Sequence, residues 1–185
     1  VQIAEKWIKT DSRFKLIHEK KQGVAYASNK GFNCSTGDYI ARMDADDYAF
    51  PNRLVDQINF LKKNTNYDAV GGIVKFGGDH EAAKGLKRYV DWNNSLKTSI
   101  DIKLNQFVES PIINPSALWK KISMKKYGEY RNGDFPEDYE LWLRWLNKGA
   151  KIGKVNSTVL QWNDSKGRLT RIHPSYSTNA FYMVK

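Results

Sequence analysis

The sequence predicts an α/β domain built on an open, mixed but mostly parallel sheet flanked by helices. Three observations lead there. Strand-like and helix-like segments alternate in the order β, α, β, α, β, with no internal repeat and no low-complexity linker between them. The 185 residues are 41% apolar and include six Trp, ten Tyr and eight Phe, enough to pack one core rather than two. Acidic residues stand where an apolar strand ends, the place where open α/β sheets hold their ligands. A single domain over residues 1–185 is expected.

The elements follow in order. VQIAEKWIKTDSRF reads as the tail of an amphipathic helix entered partway, so further structure is expected before Val1. Phe14, Leu16 and Ile17 suggest a short strand after the Asp11-Ser12 turn signal, and Gly23 leads into a helix of small residues over 24–33. Residues 39–43 form the next strand. Pro51 then occupies a favoured first helical position, with Leu54, Val55, Ile58 and Leu61 at helical spacing up to Asn64, a face expected to pack on the sheet. Residues 67–76 return as a strand. After a stretch rich in Lys and Asn, residues 137–148 form a helix that Gly149 stops.

Several classes are excluded by composition. The longest apolar run, residues 69–74, falls far short of the roughly 20 residues that span a bilayer. No secretory leader pattern opens the chain, and Cys34 is the only thiol, so a reducing, cytoplasmic setting is expected. Thirty Lys and Arg against twenty Asp and Glu give a net charge of +10. That balance admits a non-catalytic nucleic-acid or glycan binding module as an alternative. The acids, however, gather in two islands, residues 44–56 and 129–140, instead of leaving one basic face interleaved with aromatics, so no nucleic-acid partner is expected. Basic clusters, Lys120, Lys121, Lys125 and Lys126 first and the region from Lys148 onward second, suit an anionic substrate or weak attachment to anionic lipid.

The first informative constellation is Arg42-Met43-Asp44-Ala45-Asp46-Asp47. In extended backbone, residues two apart point the same way, so Asp44 and Asp46 are expected to project together from the carboxyl end of a strand. Crowded carboxylates repel unless a cation intervenes, and hard oxygen ligands call for Mg²⁺ or Mn²⁺ shared with substrate phosphates. The competing reading is that these acids cap the helix near Pro51. An EF-hand loop is excluded, because Ala49 and Val55 stand where its Gly and final Glu belong. The second constellation is Pro136-Glu137-Asp138-Tyr139-Glu140-Leu141-Trp142-Leu143-Arg144-Trp145. Pro136 fixes the helix entry, Glu137 and Asp138 sit at its positive end, and a carboxylate held there can serve as a general base. Trp142 and Trp145 have core spacing.

Taken together, in this order and separation, the segments resemble family 2 glycosyltransferases of the GT-A fold. QGVAYASNKGFNCSTGDYIARMDADD is similar to that family's approach to its DxD motif, EDYELWLRWLNKGAKI to its ED motif, and WNDSKGRLTRIHPSYS to its closing Arg- and His-containing segment. The resemblance implies an inverting, metal-dependent glycosyltransferase. It would move a sugar from a nucleotide-diphosphate sugar to a hydroxyl on a saccharide or lipid-linked acceptor, in bacterial surface polysaccharide synthesis. It implies Asp138 as catalytic base, Asp44 at the donor, and Asp46 with His173 on a Mn²⁺ or Mg²⁺ ion. Arg168 and Arg171 would lie near the diphosphate, Glu137 on the acceptor side, and Gly128 in a mobile loop. Trp92, Trp119 and Trp162 lie outside strong helical periodicity and are candidates for stacking on an acceptor sugar, which would put Trp119 on the acceptor side as well.

The departures concern the front end. The family begins with a strand, a helix and a second strand that grip the nucleotide base, so the chain is expected to be an N-terminally truncated transferase without the base pocket, which as it stands binds metal and diphosphate poorly or does not turn over. Ala27-Ser28-Asn29 replaces an Ala-Arg-Asn stretch, and Asn114-Pro115 replaces a His-Pro pair. A nucleotidyltransferase using related metal chemistry is the other enzyme class weighed; it would need a Gly-rich basic phosphate loop near its start.

Overall fold

In the computed structural model, which describes residues 2–78, 83–164 and 173–185, five strands form one sheet. They are β1 (Tyr39–Ala41), β2 (Tyr48–Ala49), β3 (Ala69–Phe76), β4 (Leu118–Lys120) and β5 (Ile152–Trp162), in the spatial order β1-β4-β3-β5-β2. Helices α1 (Gln2–Thr10), α2 (Val24–Cys34), α3 (Arg53–Lys63), α4 (Lys84–Ser95), α5 (Ser99–Asn105), α6 (Lys121–Tyr127), α7 (Glu137–Asn147) and α8 (Thr178–Val184) surround it. No helix among the described residues is long and apolar enough to cross a membrane.

The sheet is mixed, as expected, but its pairing is not mostly parallel. Only β3 and β5 pair in parallel; β1–β4, β4–β3 and β5–β2 are antiparallel. Strands β1, β3 and β5 do run in one direction. The unforeseen β4, three residues long, slots between β1 and β3 against that direction after the excursion through α4 and α5. The strand expected around Phe14 does not form. No described strand pairs with that segment, and Phe14 instead stacks on Trp7 of α1, ring centroids 5.4 Å apart.

Helix α3 packs on the sheet as expected through Leu61, with Ile58 half-buried beside it, but the other half of the face predicted from apolar spacing does not take part. Leu54 and Val55 are exposed, and the buried residues are Arg53, Gln57 and Leu61, a strict i, i+4, i+8 row. Carbonyls where β1 and β4 give out need donors, and these two polar side chains supply them. Arg53 donates to the carbonyls of Arg42 (2.6 Å) and Ala117 (3.3 Å), and Gln57 to those of Ser116 (2.8 Å) and Val70 (3.2 Å).

Helix α7 behaves as its sequence promises. Tyr139, Leu141, Trp142, Leu143, Trp145 and Leu146 are buried. Gly149 stops the helix at φ +86°, a conformation glycine adopts without steric penalty, and its N–H bonds the Leu146 carbonyl at 3.1 Å. Trp119, Trp142 and Trp145 pack edge to face with centroids 5.6–6.2 Å apart, the aromatic centre of the larger core. Trp119 is therefore withdrawn from the acceptor side: at 1% exposure it has no face left for a sugar. Trp162 is likewise buried, against Tyr89.

Candidate active site

The acidic loop carries the chain from β1, at one edge of the sheet, to β2 at the other. It is a turn, not the expected extended strand end, with the Asp47 N–H bonded to the Asp44 carbonyl at 3.3 Å. The two acids of the motif consequently take different environments. Asp44 pairs with Arg42 at 2.6 Å, and Arg42 also donates to the Met43 carbonyl. Asp46 is exposed, and no hydrogen bond or ion pair among the described residues engages its carboxylate. None of these acids caps α3, whose N-cap is Asn52 without a side-chain bond.

Two anchors hold the loop. At its start Arg53, buried at 2% exposure, grips the Arg42 carbonyl, and burial lowers its pKa to about 10. At its end Asn163, just past β5, donates its amide N–H to Asp47 Oδ1 (2.9 Å) and its side-chain N–H to the Asp46 carbonyl (2.6 Å). A loop tied at both ends presents a carboxylate with little ordering left to do.

Asp138 lies at the second residue of α7, mostly buried, with Oδ1 accepting the Tyr139 N–H at 2.8 Å. Its pKa is pushed up to about 7, first by burial and then by the neighbouring Glu137 charge; backbone N–H groups and Arg42 oppose the rise without cancelling it. Glu137 in turn accepts the Tyr176 hydroxyl at 2.7 Å, a bond spanning 39 positions that draws the segment after His173 onto the start of α7. Burial and the same acids raise the Tyr176 pKa, and Asp44 adds to that rise. Tyr130, also raised by burial, feels Arg42 and Asp138, and donates to Asn114 Oδ1 at 2.9 Å. Asn29 clamps the Tyr130 backbone from both sides, at 2.8 and 3.0 Å.

The structure thus brings Asp44, Glu137 and Asp138 into one electrostatic neighbourhood with Arg42, Tyr130 and Tyr176. His173 precedes the 3-10 turn Pro174–Tyr176 and accepts the Ser175 N–H on Nδ1 at 3.3 Å. Arg168 and Arg171 lie outside the described residues. Sequence reasoning missed Arg42, Arg53, Tyr130, Asn163 and Tyr176; for Arg42 the signal was present, two residues before Asp44.

Among the described residues no group of three His, Cys, Asp or Glu could hold a metal alone. The donor set still fits a hard cation of the kind that takes one or two carboxylates and completes its shell with substrate phosphates, because Asp46 offers unengaged carboxylate oxygens on an anchored loop. A cleft of about 710 Å³ opens beside the first turn of α7, lined by Tyr26, Arg131, Asn132, Phe135, Glu140, Met183 and Val184. Asp44, Asp46 and Asp138 are not in its wall.

Comparison with known proteins identifies the family and the fold. The glycosyl transferase family 2 model matches residues 1–128. The chain is 29% identical over 174 residues to the putative glycosyltransferase EpsE of Bacillus subtilis (strain 168), covering 93% of this chain and 60% of that protein. It is 28% identical over 148 residues to the UDP-Gal:alpha-D-GlcNAc-diphosphoundecaprenol beta-1,3-galactosyltransferase of Escherichia coli, covering 80% of this chain and 52% of that one. The chain therefore spans between half and two thirds of these two relatives. In fold it is similar to the mannosyltransferase PcManGT from Pyrobaculum calidifontis in complex with GDP-Man and Mn2+, with a TM-score of 0.61 and 16% identity over 90% of this chain and 44% of that one.

Proposed function

The chain belongs to glycosyl transferase family 2, and from that premise we propose that it carries the chemical centre of an inverting glycosyltransferase. The donor is a nucleotide-diphosphate sugar, and the acceptor is a hydroxyl on a saccharide or a lipid-linked glycan of a bacterial surface polysaccharide. The E. coli relative is named for a diphosphoundecaprenol acceptor, which supports the lipid-linked class. The reaction runs in a reducing, cytoplasmic compartment, and this domain's own attachment to the membrane is peripheral.

The observation that carries this reading is Asp138, a carboxyl held near neutrality beside an anchored acidic loop. A base with a pKa of about 7 is ionised in a useful fraction at working pH, and takes a proton readily when an acceptor hydroxyl attacks. In the proposed step the acceptor oxygen bonds to the anomeric carbon from the face opposite the leaving group. The bond from that carbon to the diphosphate oxygen breaks with its electron pair, and the hydroxyl proton passes to Asp138 Oδ. One displacement inverts the anomeric centre. Asp46 and His173 would hold Mn²⁺ or Mg²⁺, which when bound neutralises charge on the departing diphosphate. Arg168 and Arg171 would add to that neutralisation. Asp44, fixed by Arg42, would orient the donor, and Glu137, fixed by Tyr176, would face the acceptor.

Release of nucleoside diphosphate tests the reading. Asp138→Asn is expected to lower kcat by about 10²- to 10⁴-fold with donor KM little changed. Turnover within a few-fold of wild type would remove Asp138 from the mechanism.

A further inference from the structure

Helix α5 presents apolar side chains on both sides. It buries Ile102 completely, yet Ile100, Leu104, Phe107 and Val108 are 67%, 76%, 54% and 60% exposed. Their spacing, i, i+4, i+7 and i+8, makes one stripe along the outer face of the helix and the turn after it. An ordinary surface helix places polar residues there. The end of α8 extends the stripe: Lys185 donates to the Val108 carbonyl at 3.3 Å and lies over the ring of Tyr182, itself 68% exposed. Lys103, three residues after Ile100 on α5, and Lys185 border the stripe, and Lys97, exposed just before the helix with its ammonium on Asn156 Oδ1 at 3.3 Å, adds a third cation. Of the acids nearby, Asp101 is spent on the capping box with Thr98, and Glu109 is half-buried beside Lys185.

We propose that this stripe is a docking surface for an anionic lipid bilayer, its apolar side chains entering the acyl boundary while Lys97, Lys103 and Lys185 meet the headgroups. Exposed apolar area and a lysine rim together are what an interfacial helix uses. The rim also argues against a second copy of the chain, since a two-fold contact through this face would set lysines against lysines. Of the lysine clusters singled out from sequence, Lys125 and Lys126 stay exposed on α6, and several others are held by the fold. Lys120, Lys121 and Lys148 donate to carbonyls at or beyond the ends of α3, α2 and α6, and Lys154 is buried. The stripe adjoins the candidate base: Tyr139, next to Asp138, donates its hydroxyl to the Gln106 carbonyl at 2.7 Å and packs on Phe181 of α8. The purpose of docking, presenting a lipid-linked acceptor, rests on the transferase reading; the docking itself does not.

Sedimentation with vesicles of phosphatidylcholine, with and without phosphatidylglycerol, tests it in the absence of donor and acceptor. The protein is expected to bind the anionic vesicles and to release as salt rises. Leu104→Asp with Phe107→Ser, and separately Lys97→Glu with Lys103→Glu, should each weaken binding by about tenfold or more. Lys125→Glu with Lys126→Glu on α6 should bind like wild type. All the altered side chains are exposed, and unchanged near-ultraviolet circular dichroism checks that each variant folds. No binding by the wild type, equal binding by the α5 variants, or loss in the α6 variant would overturn the proposal. So would a lipid-independent dimer that Leu104→Asp returns to monomer. Loss of transfer in the α5 variants on a soluble acceptor would count against the transferase reading's geometry, whereas loss of vesicle binding alone concerns docking.

Discussion

Replacing Asp138 by Asn is expected to stabilise the protein at alkaline pH while removing the base on which transfer depends. The Asp138 carboxyl titrates at about 7 in the folded chain against 3.8 as its ordinary value. Between those two values the folded state holds a proton that the unfolded state has lost, so wild-type stability falls as pH rises through the window. A shift of about three units corresponds to ~4 kcal/mol at full linkage. Solvent reaching part of the side chain brings the figure to about 2 kcal/mol. Asn keeps an oxygen for the Tyr139 N–H and carries no charge to repel Glu137. Urea denaturation followed by tryptophan fluorescence should show Asp138→Asn more stable than wild type by about 2 kcal/mol at pH 8, and nearly equal to it at pH 4. A variant less stable at both pH values, or a difference that does not change with pH, would refute the reasoning. Sites that work against stability in this way are where function is bought.

Two further predictions concern the groups that hold the site and the sheet. Arg53→Met leaves the Arg42 and Ala117 carbonyls and the Gln57 side chain without their donor, so denaturation should show a loss of about 3 kcal/mol. Arg53→Lys should recover little of it, because one ammonium cannot reproduce the fork. Lys154 is buried with its ammonium on the Asn93 carbonyl and Oδ1, and burial lowers its pKa to about 7. Between 7 and 10.5 the unfolded chain holds a proton that the folded chain has released, so stability rises with pH there, by about 1 to 2 kcal/mol from pH 7 to 9. Lys154→Met should flatten that rise in denaturation measured at the two pH values.

Much of the scaffold was legible because some elements carry their own pattern. The buried run of β3 and the Leu-Trp spacing of α7 need no distant partner to be recognised. By contrast β4 is three residues long, and β5 hides behind Lys154, a cation in a buried position that reads as surface. The inner face of α3 was half legible for a related reason: Ile58 and Leu61 face the sheet as their spacing suggests, but where Leu54 and Val55 have the hydrophobicity, unpaired carbonyls at the sheet demanded Arg53 and Gln57. At the site, Asp46 and Asp138 were visible as motif residues. Tyr176 and Asn163 were not, since their roles are bonds to Glu137 and to the Asp46-Asp47 turn across 39 and more than 100 positions. Trp119 failed in the other direction, its aromatic surface being consumed by its Trp neighbours.

The account turns on whether the anchored acidic loop binds a cation together with a diphosphate. Thermal denaturation with a panel of nucleoside diphosphates, each with and without Mn²⁺, measures this on wild type and on Asp46→Asn. A ligand at a hundredfold excess over its own Kd stabilises by about 2.7 kcal/mol even where that Kd is weak, so with nucleotide raised to such an excess at least one should lift the wild-type Tm clearly with Mn²⁺ and little without it. Asp46→Asn should abolish the metal-dependent part. Stabilisation that ignores Mn²⁺, or that survives Asp46→Asn undiminished, would contradict it.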